Sequence, residues 1–273
     1  MSALEVGAMF WAERDSLDDI AAMKVKVGQL CIGGDTQITA GFSTHLKVEL
    51  AQRGIEVLTV FAAYQGEDYA DIPTVQRTVG FIPHRTREAR LARTLEISDF
   101  AAKLGVDSIA CHIGFVPEDK HDADYLGVRE MVRRVCDHAH SHGQTFALET
   151  GQEPAKVLLE FIHDVERPNL KVNFDPANMI LYGSGDPHEA IQILAHRIIS
   201  VHAKDGNWPD ASQPGSLGKE QPLGKGSVNI PKFVESLKNA GYQGALCVER
   251  ETNNQAERIA DMQMGVNLLR SLV

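Results

Sequence analysis

Short apolar segments rich in β-branched residues alternate along the chain with longer segments in which apolar residues recur at helical spacing. An alternation of this kind is typical of βα units arranged around a parallel sheet. The eight strand candidates lie at residues 6–10, 27–31, 55–61, 108–112, 145–149, 170–174, 198–202 and 245–249. The helix candidates lie at residues 17–24, 43–52, 85–104, 125–142, 154–164, 187–194, 230–240 and 255–272.

Four glycines mark the ends of predicted helices. Gly54, Gly105, Gly143 and Gly241 each follow a helix candidate and precede a strand candidate, which is where a left-handed residue ends a helix. Dividing 273 residues by eight gives about 34 per unit, close to the repeat of a (β/α)8 TIM barrel. A doubly wound sheet is the alternative, but it usually has a glycine-rich turn after its first strand, and residues 11–16 read WAERDS. The pattern therefore predicts one α/β domain over residues 1–273, a (β/α)8 TIM barrel.

The composition limits the classes of partner. Hydrophobic residues make up 43% and charged residues 23%, as in ordinary globular proteins with a core. The 27 Lys and Arg against 37 Asp and Glu give a net charge of −10, whereas nucleic-acid binders normally present a basic surface. No apolar run approaches the ~18–20 residues that span a bilayer, and the first residues lack the order of a signal peptide. We therefore expect a cytoplasmic protein that binds neither nucleic acid nor membrane.

The four cysteines are expected to be reduced. Cys31, Cys111, Cys136 and Cys247 form no CxxC pair, and three of them lie in apolar segments that resemble buried strands. Free cysteines are among the most buried residue types, so these four are predicted to be core thiols rather than disulfides or zinc ligands.

Four consecutive predicted strands end in a residue that can ligate a metal. Strand five ends at Glu149, strand six at Asp175, strand seven at His202 and strand eight at Glu249. Because functional side chains of a barrel collect at the carboxyl ends of its strands, the four side chains are expected to share one small ring. Helix caps or separate ion pairs would explain any one of them, but three carboxylates this close together are costly unless a cation neutralises them.

The donor set indicates which cation. Three carboxylates and one imidazole favour a hard or borderline divalent ion. We expect one Mn²⁺, with Mg²⁺, Co²⁺ or Zn²⁺ as alternatives.

The chain also resembles a known family, the xylose isomerase-like barrels, which include D-tagatose and D-psicose 3-epimerases, inosose dehydratases and endonuclease IV. The resemblance covers essentially the whole chain. It is most specific in the motifs ALETGQEP (147–154), NFDPANMILYG (173–183), ISVHAKDG (199–206) and the segment 222–251.

The resemblance implies an activity and roles for the four residues. In this family the ends of strands five to eight supply the metal ligands, which correspond here to Glu149, Asp175, His202 and Glu249. In the epimerases the two ligand glutamates also move protons, so Glu149 and Glu249 are implied as catalytic residues that work through an enediolate. The implied function is a metal-dependent sugar isomerase or epimerase of carbohydrate metabolism. A dehydratase of a keto-polyol such as an inosose is the alternative, and an endonuclease IV-like phosphodiesterase is less favoured.

Two positions depart from the family pattern. The epimerases and endonuclease IV carry a histidine where this chain has Asn178, and an amide is a poor ligand for further metal ions. A trinuclear phosphodiesterase centre is therefore disfavoured, while Asn178 can still bond a substrate hydroxyl. The epimerases carry an arginine where this chain has Trp208, which is predicted either to stack on a sugar face or to pack within its loop.

Other residues near the predicted strand ends are candidates for substrate binding. His112 ends strand four, and its alternative is a structural hydrogen bond to a loop. Gln152 and Glu153 follow the first ligand, although Glu153 can equally cap the helix that begins at Pro154. Lys204 is predicted to face the same mouth, with a surface ion pair to Asp205 as the alternative.

The substrate is expected to be a small sugar or keto-polyol. We find no glycine-rich phosphate cradle, so the sequence does not indicate a sugar phosphate. The irregular segments 62–84 and 203–229 are predicted to form loops that cover the site and set its specificity. Dimers and tetramers are common in the family, so a homo-oligomer is a further expectation.

Overall fold

The computed structural model describes residues 4–273, and in it eight parallel strands close into a barrel. The barrel strands, numbered in chain order together with a separate hairpin, are β1 (Val6–Trp11), β2 (Val27–Ile32), β3 (Glu56–Ala62), β4 (Ser108–Cys111), β5 (Thr145–Glu149), β6 (Leu170–Phe174), β7 (Ile198–Ala203) and β10 (Leu246–Val248). They pair in the circular order β1, β10, β7, β6, β5, β4, β3, β2. The predicted (β/α)8 barrel is confirmed, and closure of the sheet excludes the doubly wound alternative.

The helices lie between the strands. They are α1 (Leu17–Ala22), α2 (Ala40–Arg53), α3 (Ile72–Thr78), α4 (Arg87–Leu104), α5 (Ala123–Ser141), α6 (Ala155–Val165), α7 (Pro176–Tyr182), α8 (Pro187–Leu194), α9 (Ile230–Asn239) and α10 (Gln255–Arg270). All eight predicted helices are present, while α3 and α7 are additional. In residues 4–273 no helix has both the length and the apolar composition that a membrane crossing requires.

The ends of two long helices show why glycine is needed there. Gly54 follows α2 with φ of 64°, and Gly105 follows α4 with φ of 86°. In both cases the glycine N–H bonds back to carbonyls of the last helical turn. A side chain at this left-handed conformation would be strained, so these glycines set the points where the chain turns back toward the next strand.

The apolar core consists of one large cluster and two smaller ones. A large cluster joins the strands to the surrounding helices, and a smaller one formed by Met9, Cys31, Phe61, Ala110 and Ala147 lies inside the barrel. The four cysteines are all buried and unpaired, as predicted.

The two irregular segments contain more order than the sequence indicated. The first carries α3, and the second carries an antiparallel hairpin of β8 (Asp205–Asn207) and β9 (Lys219–Gln221). The two segments meet where the Ile72 N–H donates to the Gly215 carbonyl at 3.0 Å. Both segments therefore lie together over the carboxyl end of the barrel.

Candidate metal centre and active site

The four predicted ligand residues come together at the carboxyl end of the barrel. Glu149 ends β5, Asp175 follows β6, His202 lies near the end of β7 and Glu249 follows β10. These four strands are consecutive around the barrel. All four side chains are buried, and each offers one ligand atom within 4.8 Å of the other three. The cluster can therefore hold a metal ion.

His202 is oriented by a residue on the opposite side of the barrel. Its Nε2 donates to the Gln29 side-chain oxygen at 3.0 Å, and Gln29 donates in turn to Asn173 Oδ1 at 3.2 Å. The Nδ1 atom of His202 lies 2.6 Å from Glu149 Oε1 and 3.1 Å from Glu249 Oε2. A hydrogen bond at one ring nitrogen that leaves the other to face the ligand cluster is the usual way a protein orients a metal-binding histidine.

Two buried carboxylate oxygens in the cluster lack a hydrogen bond. Asp175 Oδ1 caps α7 by accepting from the N–H groups of Ala177 and Asn178 at 2.8 and 3.0 Å, but Asp175 Oδ2 has no partner. Glu249 Oε2 is also unsatisfied, although it lies 3.4 Å from the Lys204 ammonium. Buried charged oxygens are costly without partners, and a divalent ion prefers such oxygens. The residues present therefore fit a divalent cation.

The charges of the cluster depend strongly on one another. Burial raises the pKa of Glu249, but His202 and Lys204 lower it to about 2. Burial raises the pKa of Asp175 well above its usual range, and the charges of Glu249 and Glu149 add to this rise while Lys204 opposes it. The pKa of His202, which burial alone would lower, is raised well above its usual value by Glu249 and Glu149. Three acids around one imidazole thus favour positive charge at their centre, and a metal ion there would compete with the His202 proton.

Lys204 belongs to this site and not to the protein surface. Its side chain is 4% exposed, and its ammonium lies 3.1 Å from Glu251, 3.4 Å from Glu249 and 3.8 Å from Asp175. The alternative of a surface ion pair with Asp205 is wrong, because Asp205 is itself buried and accepts backbone N–H groups of the loop that follows β9, including those of Gly224 and Gly226.

His112 contacts Glu149, the first of the four predicted metal ligands. Its Nε2 contacts Glu149 Oε2, and the side-chain amide of Gln152 lies 2.7 Å from its Nδ1. Burial lowers the pKa of His112, but the charge of Glu149 and the hydrogen bond to it raise the pKa to about 9. His112 is therefore a proton-bearing group held against a predicted catalytic carboxylate.

A cavity of about 260 Å³ opens above the cluster. Glu149 and Glu249 line it, together with three of the six predicted substrate-binding residues, while Asp175 and His202 lie outside its lining. The predicted residues that reach it are His112, Glu149, Asn178, Lys204 and Glu249. The residues that sequence reasoning missed include the aromatic side chains Trp11, Phe61, Tyr69 and Tyr182 and the acids Glu67 and Glu220.

Three predicted substrate-binding residues lie outside the cavity lining. Gln152 is buried, and its side-chain amide lies against the His112 ring. Glu153 is buried and accepts the Val116 N–H at 2.7 Å instead of capping the helix that follows it. Trp208 is 48% exposed and follows β8. Substrate contact by these three residues remains a prediction.

Glu153 predicts a pH dependence of stability. Burial raises the pKa of its carboxyl to about 7, against the opposing hydrogen bond from Val116. Because this value exceeds the unfolded one, the folded protein binds more protons between about pH 4.5 and 7, and stability falls as the pH rises through that window. Glu153→Gln should therefore raise the free energy of unfolding at pH 8 by on the order of 2–3 kcal/mol and much less at pH 5.

Urea unfolding at both pH values checks this expectation. The matched control is Glu160→Gln on α6, which removes an exposed carboxylate and should change stability little at either pH. An equal effect of Glu153→Gln at pH 5 and pH 8 would contradict the assigned burial penalty.

Comparison with known proteins identifies similar barrels. A family model described as "Xylose isomerase-like TIM barrel" matches residues 18–272. A xylose isomerase domain protein from Planctomyces limnophilus is 39% identical, and its crystal structure superposes with a TM-score of 0.95 over 99% of this chain and 98% of that one.

Two more distant structures share the fold. D-Psicose 3-epimerase from Clostridium cellulolyticum H10, solved with D-tagatose, is 16% identical with a TM-score of 0.70 over 98% of this chain and 99% of that chain. Mannonate dehydratase from Streptococcus suis is 11% identical with a TM-score of 0.74 over 99% of this chain and 94% of that chain. At these identities the likeness shows the fold alone.

Proposed function

Because the chain belongs to the xylose isomerase-like TIM barrel family, we propose that it is a divalent-metal-dependent isomerase or epimerase of a sugar or sugar derivative. The observation that carries the proposal is the placement of two buried glutamates, Glu149 and Glu249, at the two ends of a four-strand arc. Both line one cavity, and Asp175 and His202 lie between them in the arc. A substrate in the cavity would have a carboxylate on each side.

The metal ion would be held by Glu149, Asp175, His202 and Glu249. When bound, such an ion supplies a Lewis acid for a substrate carbonyl and its neighbouring hydroxyl. We favour Mn²⁺ over Mg²⁺, Co²⁺ and Zn²⁺ because the set contains one imidazole among three carboxylates. Gln29 would keep His202 in the required tautomer.

The protein's own groups would carry out the proton transfers. One glutamate takes the proton from the carbon next to the carbonyl, which leaves an enediolate. In an epimerisation with Glu249 as the base, Glu149 would take up the proton of His112 and deliver it to the opposite face, and Glu249 would afterwards release its proton to solvent. In an isomerisation the proton on the first glutamate returns to the adjacent carbon. His112 steadies Glu149 through its contact with Oε2, and Lys204 lies 3.4 Å from Glu249.

The charge of the cavity favours an uncharged substrate. Of the described residues that line it, Lys204 is the one lysine or arginine, and its ammonium already contacts three carboxylates. Glu67, Glu220 and Glu251 add further acidic groups to the lining. A substrate phosphate or carboxylate would find no unpaired cationic side chain there, whereas the aromatic walls suit the apolar face of a free sugar.

A dehydratase of a keto-polyol is the second candidate. The observation that favours it is His112, a group that carries a proton at neutral pH because its pKa is about 9 and that lines the same cavity. After proton abstraction by a glutamate, His112 could protonate a departing β-hydroxyl, which would leave as water. The two functions differ in product mass and not in the first step.

Hydrogen exchange in D₂O tests the proposal. Free ketoses, inositol ketones and the corresponding phosphorylated sugars are incubated with the Mn²⁺-loaded protein, and products are analysed by NMR and mass spectrometry. We expect deuterium at the carbon next to the carbonyl of a free sugar or polyol ketone, with little reaction of its phosphate ester. EDTA should abolish the exchange and Mn²⁺ should restore it.

Each outcome distinguishes the candidates. Loss of water from the product would replace the isomerase by the dehydratase. Exchange that EDTA does not affect, no exchange with any of these ketones, or nicking of an abasic DNA duplex would overturn the proposal. Asp175→Asn tests the dependence of exchange on the metal ligands, since it removes one ligand charge without removing either proton-transferring glutamate.

A further inference from the structure

A second cluster of metal-ligand side chains lies on the outer surface, between two helices. His138 belongs to α5, His142 follows its last turn, and Asp99 projects from the neighbouring α4. The His138 and His142 Nε2 atoms lie 2.8 and 2.9 Å from the same Asp99 oxygen. The three ligand atoms therefore converge on one point.

The geometry of this cluster matches that of a metal-binding site. Two histidines four residues apart lie on one helix face, an arrangement that chelates zinc in helical metal motifs. The ring centroids are 5.1 Å apart, and one ligand atom from each of the three residues lies within 4.8 Å of the others. The histidine side chains are 29% and 32% exposed, so an ion can enter from solvent.

We propose that Asp99, His138 and His142 form a second metal site that binds borderline divalent ions such as Zn²⁺, Cu²⁺ or Ni²⁺. Two of the three donors are imidazoles, which suit these ions better than Mn²⁺ or Mg²⁺. The ion would replace the two hydrogen bonds to Asp99 by bonds to both Nε2 atoms, whose protons then reside on Nδ1, and water would complete the coordination. The buried cluster of three carboxylates and one imidazole has the opposite preference.

The position of the site indicates what the ion would do. Asp99 lies toward the carboxyl end of α4, and His142 directly precedes the turn into β5, so both lie at the end of the barrel away from the cavity. In a TIM barrel the residues of this face contribute to stability, whereas the opposite face holds the active site. An ion here would join α4 to α5 and stabilise the fold without altering turnover.

Zinc titration of chelator-treated protein tests this proposal. Isothermal calorimetry with ZnCl₂ is performed on the parent chain, on the double variant His138→Ala/His142→Ala and on His140→Ala. His140 is an exposed histidine on the same helix that lies outside the cluster, so it is the matched control. The double variant should bind one Zn²⁺ fewer than the parent, while His140→Ala should bind the same number.

This comparison does not depend on whether the buried centre also binds zinc, because only the difference between variants is used. Asp99→Asn should weaken the same binding event by about tenfold or more. The Cu²⁺ complex of the parent should show two nitrogen ligands by electron paramagnetic resonance, and the double variant should lose that spectrum. Zn²⁺ should also raise the unfolding temperature of the parent and of His140→Ala more than that of the double variant.

Equal stoichiometry in all three proteins, or a Cu²⁺ spectrum unchanged in the double variant, would overturn the proposal. Circular dichroism should first show that the variants are folded, as expected for substitutions of partly exposed side chains.

Discussion

Glu249→Gln is expected to leave a folded protein whose turnover is lower by several orders of magnitude. The substitution keeps the size of the side chain but removes a metal-binding charge and a group that can accept a proton. General acid–base catalysis alone contributes about 10²–10⁴-fold, and weakened ion binding adds to that loss. Glu249 is buried, and its pKa of about 2 keeps it ionised at neutral pH, so the native carboxylate is available as a base.

The measurement is kcat on the substrate found in the D₂O experiment, together with Mn²⁺ binding to the same variant. Glu251→Gln is the matched control, because Glu251 also lines the cavity and contacts Lys204 but is half exposed and outside the ligand cluster. We expect it to lower kcat by less than about tenfold. Near-normal turnover of Glu249→Gln would refute its role, and a variant that binds Mn²⁺ normally but is inactive would separate proton transfer from metal binding.

Much of the fold could be predicted from the sequence because a parallel barrel repeats one local pattern. Strands such as residues 145–149 (TFALE) and 170–174 (LKVNF) are short, mainly apolar segments set between helical ones, and their observed bounds coincide with the predicted ones. The short helices α3 and α7 were not predicted. Each begins with an acid that caps the helix N-terminus, Asp71 or Asp175, but each spans only seven residues, too few for an apolar period to be distinct.

The candidate ligand cluster was predictable where a metal-ligand side chain coincided with the end of a strand. Glu149, Asp175, His202 and Glu249 could be recognised because each follows an apolar segment and the barrel brings strand ends together. Gln29 gave a weaker signal, a single amide within the buried segment VGQLCI, and its role appears only when β2 and β7 are placed across the barrel. Glu67 and Tyr69 reach the cavity from a loop. They could not be predicted, because the spacing of apolar residues does not determine the path of a loop.

A buried ion pair outside the metal-ligand cluster joins the last helix of the barrel to the first strand. Arg258 on α10 is fully buried and paired with Asp15, which follows β1 and is also fully buried at its side chain. The Arg258 guanidinium donates to the Arg250 carbonyl at 2.7 Å and to the Met9 carbonyl at 3.2 Å. Asp15 also accepts the Trp11 N–H at 2.7 Å. The pair therefore ties the last helix to the first strand and fixes the backbone next to Glu249.

Arg258→Met is expected to destabilise the protein by about 3–5 kcal/mol, because it leaves the Asp15 carboxylate buried without its partner. Urea unfolding measures this change. Arg14→Met is the matched control, since exposed Arg14 bridges the same two parts of the chain through Gln255 and should cost no more than about 0.5 kcal/mol.

The double variant Asp15→Asn/Arg258→Met separates the cost of an unpaired charge from the loss of packing. If the unpaired carboxylate is the cause, the double variant should be less destabilised than the sum of the two single variants, with a coupling of about 1–3 kcal/mol. Strict additivity would show that the methylene packing of Arg258, and not its charge, stabilises the closure. Either single variant should also reduce turnover, because Trp11 lines the cavity and Arg250 directly follows Glu249.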